Sequence, residues 1–194
     1  VLSYASYCLD NWYLIDKDKD ISLENVALIN NFLGGVDEDW FVTVHVCIEN
    51  AASEAISSSI ALIDETSESK IEMHLNNILE SLKKVNHIFK RMPEKCDPYI
   101  YYHRVRPYIF GWKNNPDLPK GLIYDGFFKN RPQQFRGETG AQSSIIPLLD
   151  ALFSVKHKKD SLRDYLEEML LYMPPAHREL IFHVKESSKV KMYA

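Results

Sequence analysis

Two long stretches repeat apolar residues at helical spacing and leave little of the chain for a sheet. Between Trp40 and Ile63, the residues Phe41, Val44, Ile48, Ala51, Ala52, Ala55, Ile56 and Ile60 fall on one stripe. Between Lys70 and Met92, Ile71, Leu75, Ile78, Leu82, Val85 and Phe89 do the same, opposite Glu72, Glu80, Lys83 and Lys84. Intervals of three and four mark helices with one buried face. Asp37 to Asp39 precede the first stretch, where the helix macrodipole favours negative charge. Its alanines and serines allow a neighbouring element to approach closely. No stretch shows a credible period of two, so the expected fold class is all-α, a single domain over residues 1–194.

The same reasoning predicts the remaining elements. Val1 to Leu14 reads as a helix with Leu2, Tyr4, Cys8, Leu9 and Trp12 inward, followed by a charged turn at Asp16 to Asp20. Ser22 caps a short helix through Phe32, ended by Gly34-Gly35. Asp97-Pro98 starts a helix over Tyr99 to Trp112, kinked or divided at Pro107. Lys113 to Ser143 is a long loop with several glycines and prolines, a kind that is commonly functional or disordered. Ser144 to Val155 is helical. Ser161-x-x-Asp164 opens a helix to Tyr172 as a variant capping box, and Pro174-Pro175 opens a last one to about Ser187.

With 194 residues, the chain is long enough for a real core, and 45% hydrophobic with 26% charged residues is ordinary for a soluble protein. The net charge of −4 gives no reason to expect nucleic acid or an anionic membrane. Cys8, Cys47 and Cys96 are odd in number and widely spaced, which suits reduced thiols in the cytoplasm. No apolar run is long enough to span a bilayer. The chain begins at Val1 within an apolar pattern, and is expected to be part of a longer protein.

The run YIYYHRVRPYIFGW, Tyr99 to Trp112, is the densest in chemistry. At helical spacing Tyr99, Tyr102, Arg106 and Ile109 share a face, with Tyr101, Val105 and Tyr108 beside them. That sets a guanidinium against an aromatic wall, where its planar fork suits a carboxylate. An arginine snorkelling from a half-buried helix would give the same pattern. His45, among Phe41, Val44, Ile48 and Ala52, is either a satisfied boundary histidine or a ligand-facing one. The other histidines, His74, His87, His103, His157, His177 and His183, make no metal-binding spacing, and the scattered acids form no catalytic pair.

The blocks RPYIFGWKNNPDLPKGLIYDG, FRGETGAQSS and YMPPAHR resemble those of indoleamine 2,3-dioxygenases, haem proteins that oxidise tryptophan. Tyr4 to Trp12 and Trp40 to Ile56 add weaker similarity. The resemblance implies haem b as cofactor, L-tryptophan or a related indoleamine and O2 as small-molecule partners, and insertion of both oxygen atoms across the indole C2–C3 bond to give N-formylkynurenine. It implies a monomer when the protein is complete. It further implies that Phe41 packs the indole and Arg106 pairs with the substrate carboxylate. His45 stands at a distal-pocket position where animal members carry serine. Tyr101 and Tyr102 replace a pair of phenylalanines, and Tyr4 matches a pocket tyrosine at the haem edge. Gly137, Thr139 and Gly140 match a small-residue loop beside the haem, with Thr139 a donor to substrate or propionate. The family's small N-terminal domain has no counterpart here. Its proximal histidine is expected C-terminal to Ala194, so the metal ligand is unassigned. Two other readings stay open: an oxygen-binding haem protein of the same fold without efficient turnover, and a haem-free helical interaction protein.

Overall fold

The computed structural model describes residues 3–190, so Val1 and Leu2 of the expected N-terminal helix lie outside the described residues. The chain is mostly helical, as the apolar spacing requires. The first long stripe becomes two helices, α1 (Val36–Ala51) and α2 (Ser53–Ala61), jointed at Ala52. The second becomes α3 (Glu68–Phe89), which packs along both. Ser81 of α3 donates to the Ala51 carbonyl at 2.7 Å, beside the joint. The burial differs in detail from the expected stripes. Trp40, Val42 and Cys47 are buried in α1, whereas Ile60 and Phe89 are about half exposed.

The helical segment that follows begins at Asp97. Its carboxylate accepts from the Tyr99 and Ile100 amides, the expected cap. The segment runs as α4 (Pro98–Ile100), a π-helical turn (Tyr101–Val105) and α5 (Arg106–Ile109). The division expected at Pro107 is thus a widened turn ahead of the proline, whose missing N–H cannot close an ordinary α-turn. α6 (Ile145–Leu152) packs on α2 and on α8 (Pro175–Ser187). α7 (Ser161–Leu170) starts one residue earlier than the capping box predicts, because Asp160 and not Ser161 accepts from the Arg163 amide at 2.9 Å.

The described segment ahead of α1, residues 3–35, departs most from expectation. Only Ala5–Leu9 is helical, as a π-helical turn, and a two-stranded antiparallel hairpin follows: β1 (Trp12–Leu14) against β2 (Val26–Leu28), with Trp12 opposite Leu28. No helix forms between Ser22 and Phe32. Two buried asparagines explain the change. Asn25 accepts from the Asp16 amide and donates to the carbonyls of Asp16, Lys19 and Asp20, closing the turn. Asn11 exchanges a donor and an acceptor with the Asn30 backbone at 2.7 and 2.9 Å. Side-chain bonds of this kind compete with the helical ladder.

The 113–143 loop is ordered by its own contacts. Glu168 of α7 takes both Lys113 and Arg136, the latter at 2.8 Å. Tyr124, Phe128 and Phe135 pack ring to ring, and the Trp112 indole donates to the Tyr124 hydroxyl at 3.2 Å.

Glu38 in the first turn of α1 is fully buried. It accepts from the Tyr7 hydroxyl and from the amides of Phe32, Leu33 and Gly34, all at 2.8–2.9 Å. Glu38→Gln would set an amide NH2 against donors it cannot accept from. We expect a loss of roughly 2–4 kcal/mol in denaturant unfolding, and a cost under about 0.5 kcal/mol would show that this carboxylate is not a fastening point.

Candidate active site

Phe41, His45 and Glu49 stand four residues apart on one face of α1. Phe41 stacks on Tyr101 with ring centroids 4.0 Å apart, and lies 4.3 Å from the His45 ring. Tyr4 meets His45 edge-on at 5.9 Å. These four rings form one continuous wall. His45 Nδ1 sits 2.8 Å from the Phe41 carbonyl. A carbonyl only accepts, so Nδ1 carries the hydrogen and Nε2 keeps its lone pair. Burial holds the His45 pKa below its ordinary value, against a smaller upward pull from that carbonyl bond. Nε2 points toward Gly140, where an added Cβ would stand 3.7 Å away.

Tyr4 is fastened at both ends. Its amide donates to Gln142 Oε1 at 2.8 Å, and its hydroxyl donates to Glu49 Oε1 at 2.8 Å. Ser143 Oγ donates to the same carboxylate oxygen at 2.6 Å. Burial, then the Glu49 charge, raise the Tyr4 hydroxyl well above its ordinary pKa. Gln142 also donates to the Gly137 carbonyl at 2.8 Å. The glycine loop, α1 and the N-terminal turn are therefore one hydrogen-bonded unit.

The structure corrects the expected face of the aromatic segment. Tyr101, Val105 and Ile109 point inward, while Tyr99, Tyr102 and Tyr108 are exposed and lie off the wall. Tyr99 and Tyr102 pack against His103 instead. Intervals of four survive the π-turn, whereas the expected 99–102–106 line does not. Arg106 remains half-buried, with its guanidinium 5.7 Å from the Phe110 ring. Among the described residues it forms no ion pair.

Gly137 is glycine for a reason other than ligand approach. A Cβ there would fall 1.7 Å from the Ile109 carbonyl oxygen, so the loop lies directly on the end of α5. Gly111, at φ +78°, makes the reciprocal contact with the Gly137 amide. Thr139 is half-buried, and its hydroxyl accepts from the Ala141 amide at 3.4 Å. Gly140 is exposed beside His45 and also forms the edge of a cavity of about 520 Å³ between α6, α7 and α8. That cavity has apolar walls at Ile146, Leu170 and Phe182, and cations at Arg163 and Lys185.

Sequence reasoning passed over Glu138. It is 2% exposed, and among the described residues neither carboxylate oxygen has a hydrogen-bond partner. The Tyr101 hydroxyl is the other buried side-chain group left unpartnered among the described residues. Burial pushes the Glu138 carboxyl up to about 7, with the Arg106 guanidinium pulling the other way. A lone acid among small residues, Gly137-Glu138-Thr139-Gly140, was the available signal.

Fold and site together define a helical protein with an aromatic and histidine wall, an unpaired arginine and a glycine loop bordering an apolar cavity. The family model for indoleamine 2,3-dioxygenase matches residues 1–194, and the chain belongs to that family. It is 37% identical over 198 residues to indoleamine 2,3-dioxygenase 1 of Mus musculus, covering all of this chain and 48% of the mouse protein. It is 30% identical over 211 residues to the Saccharomyces cerevisiae indoleamine 2,3-dioxygenase, covering 98% and 46%. A 6-hydroxytryptophan 2,3-dioxygenase of Fusarium equiseti is 26% identical, covering 100% and 48%. The chain spans about half the length of the curated relatives it matches.

The raised Glu138 pKa makes a stability prediction. A carboxyl that is more basic folded than unfolded favours the folded state while protonated. That stability is complete below the ordinary carboxyl pKa of 4.5 and is lost as pH rises through about 7. The shift corresponds to roughly 3 kcal/mol. Glu138→Gln should therefore gain stability over wild type at pH 8 by more than at pH 5, in urea unfolding of the full-length protein. Equal differences at both pH values would contradict the buried titration.

Proposed function

We propose that this chain forms one all-α domain carrying the distal wall and substrate pocket of a haem-dependent tryptophan dioxygenase. The observation that carries the reading is the ring wall of Tyr4, Phe41, His45 and Tyr101 with an unpaired Arg106 nearby. The wall suits an indole. The arginine suits the carboxylate of an amino acid, through charge-assisted bonds that select for it.

Haem b fits the residues present. Gly140 joins the His45 side of the wall to the apolar cavity, and a planar macrocycle needs such a slot beside a residue without a side chain. Gly140, Ala141, Ile146 and Leu170 would hold the ring, with Lys185 available to its propionates, whereas Arg163 is already paired with Glu167. When bound, the haem supplies the redox chemistry that inserts both atoms of O2 across the indole C2–C3 bond of L-tryptophan, giving N-formylkynurenine.

This chain's residues position and shield. Phe41, held flat on Tyr101, packs the indole and excludes water. His45, neutral and fixed by the Phe41 carbonyl, presents Nε2 as an acceptor, which matches the indole N–H. Arg106 anchors the carboxylate. Thr139 and Gly140 close the wall on the loop side, where the Thr139 hydroxyl can rotate to donate to substrate or propionate. Tyr4, tied to Glu49 and Gln142, supports the His45 ring and would border the haem edge. The three buried thiols, Cys8, Cys47 and Cys96, suit a reducing cytoplasm. No helix among the described residues is long and apolar enough to cross a membrane.

The test is kinetic and spectroscopic on the full-length protein. Wild type should show a haem absorption band and form N-formylkynurenine from L-tryptophan in air. Arg106→Ala should keep the haem band and raise the KM for L-tryptophan at least about tenfold. Unchanged tryptophan kinetics in that variant would remove the anchoring role.

A further inference from the structure

The two unpartnered groups beside the wall call for a partner of definite chemistry. Among the described residues nothing donates to either carboxylate oxygen of Glu138, and the Tyr101 hydroxyl is likewise unmatched. Each is within electrostatic reach of the other and of Arg106. Buried polar groups are almost always satisfied, and a bare carboxylate is among the costliest to leave alone. The contrast within this fold is direct. Glu38 is equally buried and accepts four hydrogen bonds, and Glu49 accepts two. The chain thus supplies donors to its other interior acids and withholds them from Glu138.

A missing donor next to an acceptor-only group must bring hydrogens, and a cation fits best. Arg106 and Glu138 are a positive and a negative group on adjoining elements, with no ion pair between them. Their charges complement those of a free amino acid, whose carboxylate and ammonium share one carbon. We propose that Glu138, helped by the Tyr101 hydroxyl, receives the ammonium group of the substrate while Arg106 takes its carboxylate, so that the pair reads the zwitterion. The assignment rests on the tryptophan reading above and deepens it. The remaining titratable groups facing Glu138 are Tyr4, Tyr7 and Cys8, whose pKa values are all raised, so they are uncharged at neutral pH and none competes as a cation. Bound ammonium would hold Glu138 ionised where the empty site leaves it half protonated near pH 7.

The experiment compares two probes on the full-length haem-loaded protein by calorimetry: L-tryptophan, and indole-3-propionate, which keeps the indole and carboxylate and lacks the amine. A charge-assisted pair away from water predicts that wild type prefers L-tryptophan by about ten- to a hundredfold. Glu138→Gln should bring the two within about threefold, with the loss confined to L-tryptophan, and Tyr101→Phe should move the ratio the same way by less. Equal affinity of wild type for both probes overturns the proposal without any variant. So does a Glu138→Gln protein, with wild-type haem content, that keeps the wild-type ratio or weakens both probes alike. Failure of the underlying reading looks different: wild type then binds neither probe, or Arg106→Ala leaves indole-3-propionate binding unchanged.

Discussion

Glu38 is the contact on which the placement of the other elements depends. Its carboxylate gathers the amides of three consecutive residues, Phe32 to Gly34, and the Tyr7 hydroxyl from the N-terminal turn. It does so from the first turn of α1, where the helix dipole adds to the field of those donors. One buried charge thereby fixes how the chain enters α1 and where the N-terminal turn lies against it. About one, two and three turns further along the same helix, Phe41, His45 and Glu49 take their positions from that entry. Glu49 then fastens Tyr4 and Ser143, which brings the glycine loop onto the wall. The site is a product of α1 being anchored at one end and used as a ruler along its length.

Three interior carboxylates divide the labour by their donors. Glu38, with four, is structural. Glu49, with two, joins a pocket tyrosine to a loop serine. Glu138, with none, is the one whose environment favours the neutral form, and it is the one beside Arg106. The difference is set by backbone geometry and not by residue type. The Glu138 amide is spent on the Ile109 carbonyl at 3.0 Å and the Gly137 amide on the Phe110 carbonyl at 3.2 Å, with the loop pressed against α5 by Gly137 and Gly111.

Much of the fold was legible because it is local. The period of Ile71, Leu75 and Ile78 reads as α3 without any knowledge of its neighbours, and Asp97-Pro98 announces a helix start by its own chemistry. The hairpin was not legible. Asn11 and Asn25 decide it through bonds spanning up to 19 residues, and a short apolar run gives no sign of them. The face of the aromatic segment was misread for a related reason. A π-turn resets the angular position of every later residue, so Tyr101, Val105 and Ile109 line up where regular α-spacing places Tyr102 and Arg106. The shared helix face of Phe41 and His45 is visible in their spacing, whereas the contacts of Tyr4 and Tyr101 with them, and the environment of Glu138 where two backbones touch, could be seen only in three dimensions.

The chemistry of His45 follows from the same ruler. An imidazole four residues after Phe41 can reach the Phe41 carbonyl only by donating from Nδ1, and that bond decides that Nε2 is an acceptor. Burial lowers its pKa and keeps it neutral at physiological pH. A protonated ring would present a donor at Nε2, which cannot accept an N–H, and would repel the ammonium end of any bound zwitterion. A neutral ring presents a lone pair that can take the indole N–H and add no charge. The wall is therefore aromatic at Phe41 and Tyr101, accepting at Nε2, and flanked by the ionisable groups Arg106, Glu49 and Glu138. That distribution matches an amino acid with a flat heteroaromatic side chain better than it matches a small gas ligand alone, and it is set by where α1, the π-turn and the glycine loop are held together.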